Sequence, residues 1–294
     1  MLCTDCPRKC SAIRNEETGE GYCHAPLVPY VSLAKLHFGE EPCISGTKGS
    51  GTVFFTGCSL KCVYCQNSSI SGNDLTAGKR TTASDLKAIY RSLEEQGAHN
   101  INLVTPTHFV REISRSIDGS IDIPFCYNTS GYERPESLDM LKGKVQIYLT
   151  DYKYALSCPA KKYSHAPDYP DIILAALEKM YDLVGDAEFD DEGIMRKGII
   201  IRHLILPGNT ENSIKVIDAA ERFIRGKKVV FSLMSQYVPH GNISMFKELQ
   251  RPVSEEEYDT VTSYLYDSEI EDGYVQDMSS ATDDFLPDFD MSGV

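Results

Sequence analysis

Short apolar runs alternate with amphipathic stretches over residues 51–251. Six runs, each bounded by Gly, Pro or polar residues, have the length and composition of buried parallel strands. They cover residues 52–56, 101–105, 124–128, 145–150, 198–206 and 228–234. Residues 83–96, 171–183 and 211–225 have the 3.6-residue period of helices. The pattern predicts an α/β fold with six β/α units, fewer than the eight of a closed barrel.

The flanking regions lack this alternation, and we therefore predict four segments. They are a cysteine-rich metal-binding module at 1–26, a connector at 27–50, the barrel at 51–251, and a C-terminal helix with an acidic tail at 252–294. The helix is predicted at 254–266. The tail beyond it is either disordered or lies across the barrel mouth or a partner. Its isolated Tyr274, Phe285, Leu286 and Phe289 favour partial docking.

Charge and composition exclude several classes of protein. No run of 18 apolar residues is present, so we expect no membrane span, and the N-terminus does not resemble a signal peptide. Ten cysteines without an export signal indicate metal or redox chemistry in a reducing cytoplasm. The net charge is -14, and 13 acidic residues follow Arg251 with no lysine or arginine. We expect no nucleic-acid partner.

One cysteine motif follows the first predicted strand. The apolar run ends at Gly57, and Cys58, Cys62 and Cys65 follow with the spacing C-x3-C-x2-C. Three thiolates fill three corners of a cubic iron–sulfur cluster and leave one iron open to a small molecule. The alternative is a zinc knuckle with a remote fourth ligand.

The motif, with Tyr64 before its third cysteine, resembles the signature of the radical S-adenosylmethionine (radical SAM) enzymes. The sequence Gly-Cys-Ser-Leu-Lys-Cys-Val-Tyr-Cys-Gln-Asn is similar to the corresponding motif of pyruvate formate-lyase activating enzyme and of its uncharacterised homologues with an N-terminal cysteine-rich module. The resemblance implies a partial (β/α)6 barrel. It implies a [4Fe–4S] cluster that binds SAM and cleaves it reductively to a 5′-deoxyadenosyl radical, which abstracts hydrogen. The resemblance further implies that the protein is an oxygen-sensitive oxidoreductase and that a flavodoxin or ferredoxin reduces its cluster.

The resemblance also assigns SAM contacts at the carboxyl ends of the strands. These are Tyr64, Thr105, Thr107, Asn128, Ser130, Asp151, Lys153, Arg202 and His240. The stretch from Leu103 to His108 lacks the Gly-Gly-Glu that many of these enzymes use for the SAM amino group. Alternatively, Thr107 caps a helix, and Asp151 with Lys153 forms a structural ion pair. We predict no catalytic residue beyond the cluster ligands.

Four further cysteines, Cys3, Cys6, Cys10 and Cys23, have the spacing C-x2-C-x3-C-x12-C. They fit a second iron–sulfur cluster, a closed zinc site or unmetallated thiols. His24 is a possible substitute ligand, and Cys43 is either a ligand of the main site or a buried structural residue.

The predicted function is radical SAM chemistry. Hydrogen abstraction from a glycine of a partner enzyme is one version, and modification of a small molecule or a peptide is another. The rival from a different class is a non-catalytic zinc-binding interaction protein.

Overall fold

The computed structural model describes residues 2–280 and 287–294, so the predicted tail residues Phe285 and Leu286 lie outside the described residues. The strands are β1 Tyr30–His37, β2 Ser50–Phe55, β3 Lys79–Arg80, β4 Ile101–Val104, β5 Phe125–Thr129, β6 Ile147–Asp151, β7 Glu188–Phe189, β8 Met195–Leu204, β9 Val230–Met234 and β10 Gly273–Val275. The helices are α1 Pro42–Ser45, α2 Ser68–Ser71, α3 Ala83–Glu95, α4 Val110–Ser116, α5 Pro135–Leu138, α6 Ser157–Ser164, α7 Tyr169–Val184, α8 Thr210–Ile224 and α9 Glu255–Tyr266.

The strands form one curved mixed sheet. Its order is β10-β9-β8-β6-β5-β4-β2-β1-β3, and the strands from β2 to β10 in this order are parallel. The six predicted strands correspond to β2, β4, β5, β6, β8 and β9, each within a few residues of its predicted bounds. The α/β class with a parallel, partial-barrel sheet is therefore confirmed. The helices predicted at 83–96, 171–183, 211–225 and 254–266 correspond to α3, α7, α8 and α9.

Four strands lie where the hydrophobic pattern gave no strand: β1, β10 and the two-residue strands β3 and β7. The connector contributes β1, which pairs antiparallel with β2, and the tail contributes β10, which pairs parallel with β9. β10 has only three residues, too few to show the alternation of a strand. The parallel part of the sheet thus has one strand more than the six predicted.

The two faces of the parallel strands have different chemistry. Val53, Phe55 and Ile201 belong to the large core between sheet and helices. Residues of the opposite parity face the barrel interior, because successive side chains of a strand alternate between faces. The interior is apolar near the amino ends of the strands, around Cys126 and Ile200. Closer to the carboxyl ends it becomes polar, and this change positions the site described below.

The described end of the tail docks on the sheet. Ser32 accepts a hydrogen bond from the amide of Met291 at 2.9 Å, and the amide of Ala34 donates to the carbonyl of Ser292 at 3.0 Å. The ring of Phe289 packs edge-on against Phe54, with 5.3 Å between centroids. Among the described residues, no helix has the length and apolar character needed to cross a membrane.

A buried carboxyl group lies on the helix side of the sheet, next to the end of β5. Glu133 is 1% exposed, and the hydroxyls of Thr107 and Thr129 both donate to its Oε1 atom. Its Oε2 atom has no hydrogen-bond partner. Burial raises the pKa of Glu133 to about 7, although the two threonine hydroxyls act in the opposite direction.

We predict that the Glu133 carboxyl makes the protein less stable as the pH rises. The folded state keeps the proton up to pH about 7, while the unfolded chain loses it near 4.5, the ordinary pKa of a glutamate carboxyl group. The free energy of unfolding should therefore fall by about 3 kcal/mol across that window. Glu133→Gln should remove this dependence, as measured by urea unfolding at several pH values. The control is Glu136→Gln, an exposed neighbour, and equal slopes in the two variants would contradict the prediction.

Candidate functional site

The three-cysteine loop begins where β2 ends. Gly57 has a φ of 84°, a conformation that glycine adopts without a steric penalty, and it turns the chain into the loop. Cys58, Cys62 and Cys65 are all free and partly buried. The amides of Leu60 and Lys61 point at Sγ of Cys58, at 3.3 and 3.4 Å. Donors directed at sulfur stabilise it as a thiolate ligand.

A chain of hydroxyl groups supports the second cysteine. Ser164, at the end of α6, donates to Sγ of Cys62 at 3.0 Å. The hydroxyl of Tyr154 lies 2.8 Å from that of Ser164 and 2.8 Å from that of Tyr64. Tyr64 is buried, and its ring packs edge-on against Tyr163 and Tyr237. The structure therefore gives Tyr64 a role in holding the loop, and its contact with a cofactor stays a prediction.

One lysine, Lys153, acts electrostatically on the thiols of the loop. Burial raises the pKa of Cys58, and burial with the neighbouring thiols raises that of Cys65 to about 12. The ammonium group of Lys153 acts in the opposite direction on both. Buried thiols with raised pKa values stay protonated near neutral pH, so metal binding here releases protons.

Lys153 belongs to a buried ionic cluster inside the barrel. Its Nζ atom lies 2.7 Å from a carboxylate oxygen of Asp151, whose other oxygen accepts from Nε of Arg202 at 2.9 Å. Although burial raises the pKa of Asp151, these two cations together hold it below its usual range. Burial lowers the pKa of Lys153, but Asp151 and then Cys62 outweigh it, so the net shift is upward. Both groups are therefore charged at neutral pH.

Arg202 is the centre of this cluster. Its Nη1 atom donates to Glu40 at 2.8 Å, and its Nη2 atom donates to Oδ1 of Asn128 at 2.7 Å. A buried guanidinium needs such partners, because desolvation of an unpaired charge is costly. The structure thus brings together four predicted site residues, Asn128, Asp151, Lys153 and Arg202.

Two acidic residues of the connector complete the cluster, and sequence reasoning missed both. Glu40 accepts hydrogen bonds from the side-chain amides of Asn102 at 2.9 Å and Asn128 at 3.1 Å. Glu41 lies 3.9 Å from Arg202, and its Oε2 atom has no hydrogen-bond partner. Burial raises the pKa of Glu41, against the effect of Arg202. The Glu-Glu-Pro stretch before α1 was the available signal, since two acids beside a buried helix need a partner.

The remaining predicted contacts are less clustered. Thr105 has a φ of 59°, an outlier for a β-branched residue, and its amide donates to Asn128 at 2.9 Å. Thr107 is 1% exposed and bonded to Glu133, on the helix side of the sheet. The carbonyl of Ser130 lies 2.7 Å from the hydroxyl of Tyr169, which also accepts from the amide of Lys153 at 2.9 Å. Roles for these threonines and for the Ser130 hydroxyl stay predictions.

The loop that contains His240 packs on the three-cysteine loop. The amide of Asn242 donates to the carbonyl of Val63 at 2.7 Å. A Cβ atom at Gly241 would lie 2.4 Å from that same carbonyl oxygen and 3.2 Å from the amide nitrogen of Cys65. The fold therefore places His240 beside the cysteine loop, and its contact with adenine stays a prediction.

The four N-terminal cysteines line one cavity, together with His108 and Ser59 of the three-cysteine loop. Cys43 lies elsewhere, in α1 at the amino end of the sheet, packed with Cys126. In the described part of the chain, no three His, Cys, Asp or Glu side chains are arranged around a single metal ion.

Comparisons with known proteins agree with this fold. No protein-family model matches the chain. An uncharacterized protein of Methanocaldococcus jannaschii is 29% identical over 263 residues, which are 87% of this chain and 71% of that protein. A cysteine-to-serine variant of spore photoproduct lyase superposes with a TM-score of 0.51 and 14% identity over 83% of this chain and 79% of its own.

Methylornithine synthase has a TM-score of 0.49 and 12% identity over 71% of this chain, and this chain spans 59% of its length. Streptococcus suis SuiB, in its structure with precursor peptide SuiA, has a TM-score of 0.48 and 12% identity over 76% of this chain, which spans 47% of it. Spore photoproduct lyase, whose TM-score is above 0.5, is a radical SAM enzyme. This chain has the radical SAM fold.

We predict that Gly241→Ala disrupts the cysteine loop. The new Cβ atom would clash with the backbone of Val63 and would also occupy a left-handed conformation, with φ of 77°. Amide hydrogen exchange of residues 62–66 should become faster. Gly226→Ala is the matched control, because it has φ of 76° and no atom within 4 Å of its Cβ position. It should cost only about 1–2 kcal/mol of stability, and similar exchange in the two variants would count against the packing argument.

Proposed function

We propose that this protein is a radical SAM enzyme in which Cys58, Cys62 and Cys65 hold a [4Fe–4S] cluster. The observation that carries the proposal is a three-thiol loop inside a radical SAM fold together with a buried cluster in which Lys153 and Arg202 share Asp151; Lys153 also acts electrostatically on the thiols. When bound, the cluster supplies the electron that cleaves SAM to methionine and a 5′-deoxyadenosyl radical.

The donor set of the loop fits such a cluster. The three thiols come from one short loop, and each has a donor nearby: backbone amides for Cys58, Ser164 for Cys62 and Ser71 for Cys65. A [4Fe–4S] cluster takes four protein thiolates when it is closed. Three on this loop leave one iron for SAM.

The charges of the barrel interior fit SAM. Among the residues that the structure describes, the carboxyl groups of Glu40, Glu41 and Asp151 form ion pairs with two cations, Arg202 and Lys153. SAM carries a sulfonium, an ammonium and a carboxylate, so it brings one net positive charge to a cluster with an excess of carboxylates. The fork of Arg202 and the ammonium of Lys153 suit the carboxylate, and Asp151 suits the ammonium.

The chain's own residues would bind, orient and shield the cofactor. Arg202 is held on three sides by Glu40, Asp151 and Asn128, so its direction is fixed before SAM arrives. The buried tyrosines around Cys62 keep water from that side of the loop. This arrangement protects a reactive radical from side reactions.

The substrate class stays open between a partner enzyme, another peptide and a small molecule. Activation of a glycyl-radical enzyme, as in the activating enzymes that the motif resembles, fits the site no better than modification of another peptide or a small molecule. We place the protein in the reducing cytoplasm, where ten free cysteines persist, with a flavodoxin or ferredoxin as electron donor.

We predict that Cys62→Ala abolishes SAM cleavage. The variant removes one of the three thiolates, so the cluster should be lost or unable to bind SAM. The assay is 5′-deoxyadenosine formed by anaerobically reconstituted and reduced protein. Cys158→Ala, at an exposed free cysteine of α6, is the control and should keep full activity. Cleavage by the Cys62 variant at the control's rate would refute the assignment.

We also predict that Arg202→Lys weakens SAM binding by about tenfold or more, because lysine keeps the charge and loses the planar fork. Arg196→Lys is the control in the same strand, where the arginine forms an exposed pair with Asp190. Calorimetric titration of SAM into each reconstituted variant measures the affinities. Equal affinities would remove Arg202 from the SAM site.

A further inference from the structure

Three of the four cysteines of the N-terminal module are buried. Cys3, Cys6 and Cys23 are 7%, 8% and 7% exposed, and Cys10 lies at the surface. All four line a single small cavity. The guanidinium of Arg14 donates to Sγ of Cys3 at 3.4 Å. Three free thiols are thus buried in one cavity beside a cation that favours the thiolate form, although the described side chains are not arranged around a metal ion.

The described part of the module, residues 2–26, buries neither a leucine nor an isoleucine side chain. Residues 1–26 contain one leucine, Leu2, and one isoleucine, Ile13. Their side chains are 61% and 58% exposed. The ordering of about 25 residues costs free energy that such a segment cannot recover through hydrophobic burial. Metal binding supplies that free energy in small cysteine-rich modules.

The turns beside these cysteines resemble those of the main loop. Lys9 and Ser11 flank Cys10, and His24 follows Cys23; their φ values are 43°, 48° and 54°. In the main loop, Lys61 has a φ of 53° immediately before Cys62. Residues other than glycine hold this conformation only where their surroundings fix it. Both groups of cysteines therefore lie beside residues held in this conformation.

We propose that Cys3, Cys6, Cys10 and Cys23 bind a second metal centre through four thiolates, and that this centre holds Arg8 against the three-cysteine loop. The centre is an iron–sulfur cluster or a zinc ion, since both take four thiolates. The metal site is independent of the proposed function, and only the action of Arg8 on the loop rests on it.

Arg8 is the link between the two groups of cysteines. It lies between Cys6 and Cys10 in the chain, so ligation of both cysteines fixes its backbone. Its guanidinium donates to the carbonyl of Ser59 at 2.9 Å and to that of Leu60 at 3.3 Å, both within the three-cysteine loop. It also donates to the carbonyl of Ser164 at 2.7 Å.

Further contacts strengthen this link. The carbonyl of Ser164 is at the carboxyl end of α6, where a cation interacts favourably with the helix dipole. The Arg8 guanidinium stacks on Tyr22, 4.1 Å from the ring centroid. Lys61 of the main loop in turn donates to the carbonyl of Tyr22. The N-terminal module therefore donates hydrogen bonds to the three-cysteine loop through Arg8 and accepts one from it through Tyr22.

The metal site can be tested in a full-length chain that lacks the main site. In the variant C58A/C62A/C65A, reconstitution should give about four iron atoms with sulfide or about one zinc ion per chain. Separate arms with iron plus sulfide and with zinc distinguish the two metals. Addition of Cys6→Ala and Cys23→Ala should abolish binding. A folded triple variant that binds neither metal, or binding that survives the added substitutions, would overturn the proposal.

A second comparison keeps the test decisive if the triple variant does not fold. The metal content of the wild type should exceed that of Cys6→Ala/Cys23→Ala by one complete centre and should match that of Cys158→Ala. Equal metal content in the wild type and the double variant would overturn the proposal. Because the double variant retains Cys58, Cys62 and Cys65, failure of the main site is read separately from failure of this one.

The role of Arg8 has its own measurement. Arg8→Met should leave the N-terminal metal bound and should speed amide exchange in residues 58–65 by about tenfold, since hydrogen bonds from a charged donor are lost. Lys9→Met, at the exposed neighbour, should change neither quantity. Equal exchange in the two variants would show that Arg8 does not hold the loop.

Discussion

The burial of Arg202 inside the barrel is the constraint on which the site depends. A guanidinium in a water-poor interior needs full pairing, and here the partners come from separate parts of the chain. Glu40 belongs to the connector, Asn128 to β5 and Asp151 to β6. Their convergence fixes the strand ends relative to one another. It also leaves more carboxyl groups than cations around Arg202, an electrostatic condition that suits a ligand with a net positive charge.

The three-cysteine loop is held from several directions, so its geometry does not depend on the loop alone. Ser164 approaches Cys62 from α6, the segment around Gly241 packs on Val63, and Arg8 binds the carbonyl groups of Ser59 and Leu60. Preorganisation of this kind matters because a ligand loop that must fold on binding loses affinity. The N-terminal module belongs to this support and is not an isolated appendage.

The strands and the main motif could be predicted from sequence because their signals are local. Apolar runs define the buried strands, and the alternation of a strand places Asp151 and Lys153 close together. The contact between Arg202 and Glu40 could not be predicted, because the two residues are 162 positions apart in the chain. Thr107 illustrates a different limit. It has the parity of Leu103, which belongs to the core between sheet and helices, so it lies on the helix side and bonds Glu133 instead of facing the barrel interior.

The central claim is that the cysteine loop and the charged barrel interior form one SAM site. The most direct test is an anaerobic calorimetric titration of SAM into the wild-type protein, with and without its reconstituted cluster. We predict binding of one SAM per chain to the reconstituted protein, and an affinity at least tenfold lower without the cluster, because the open iron is then missing. An absence of binding to the reconstituted protein, or an equal affinity in both forms, would contradict the account.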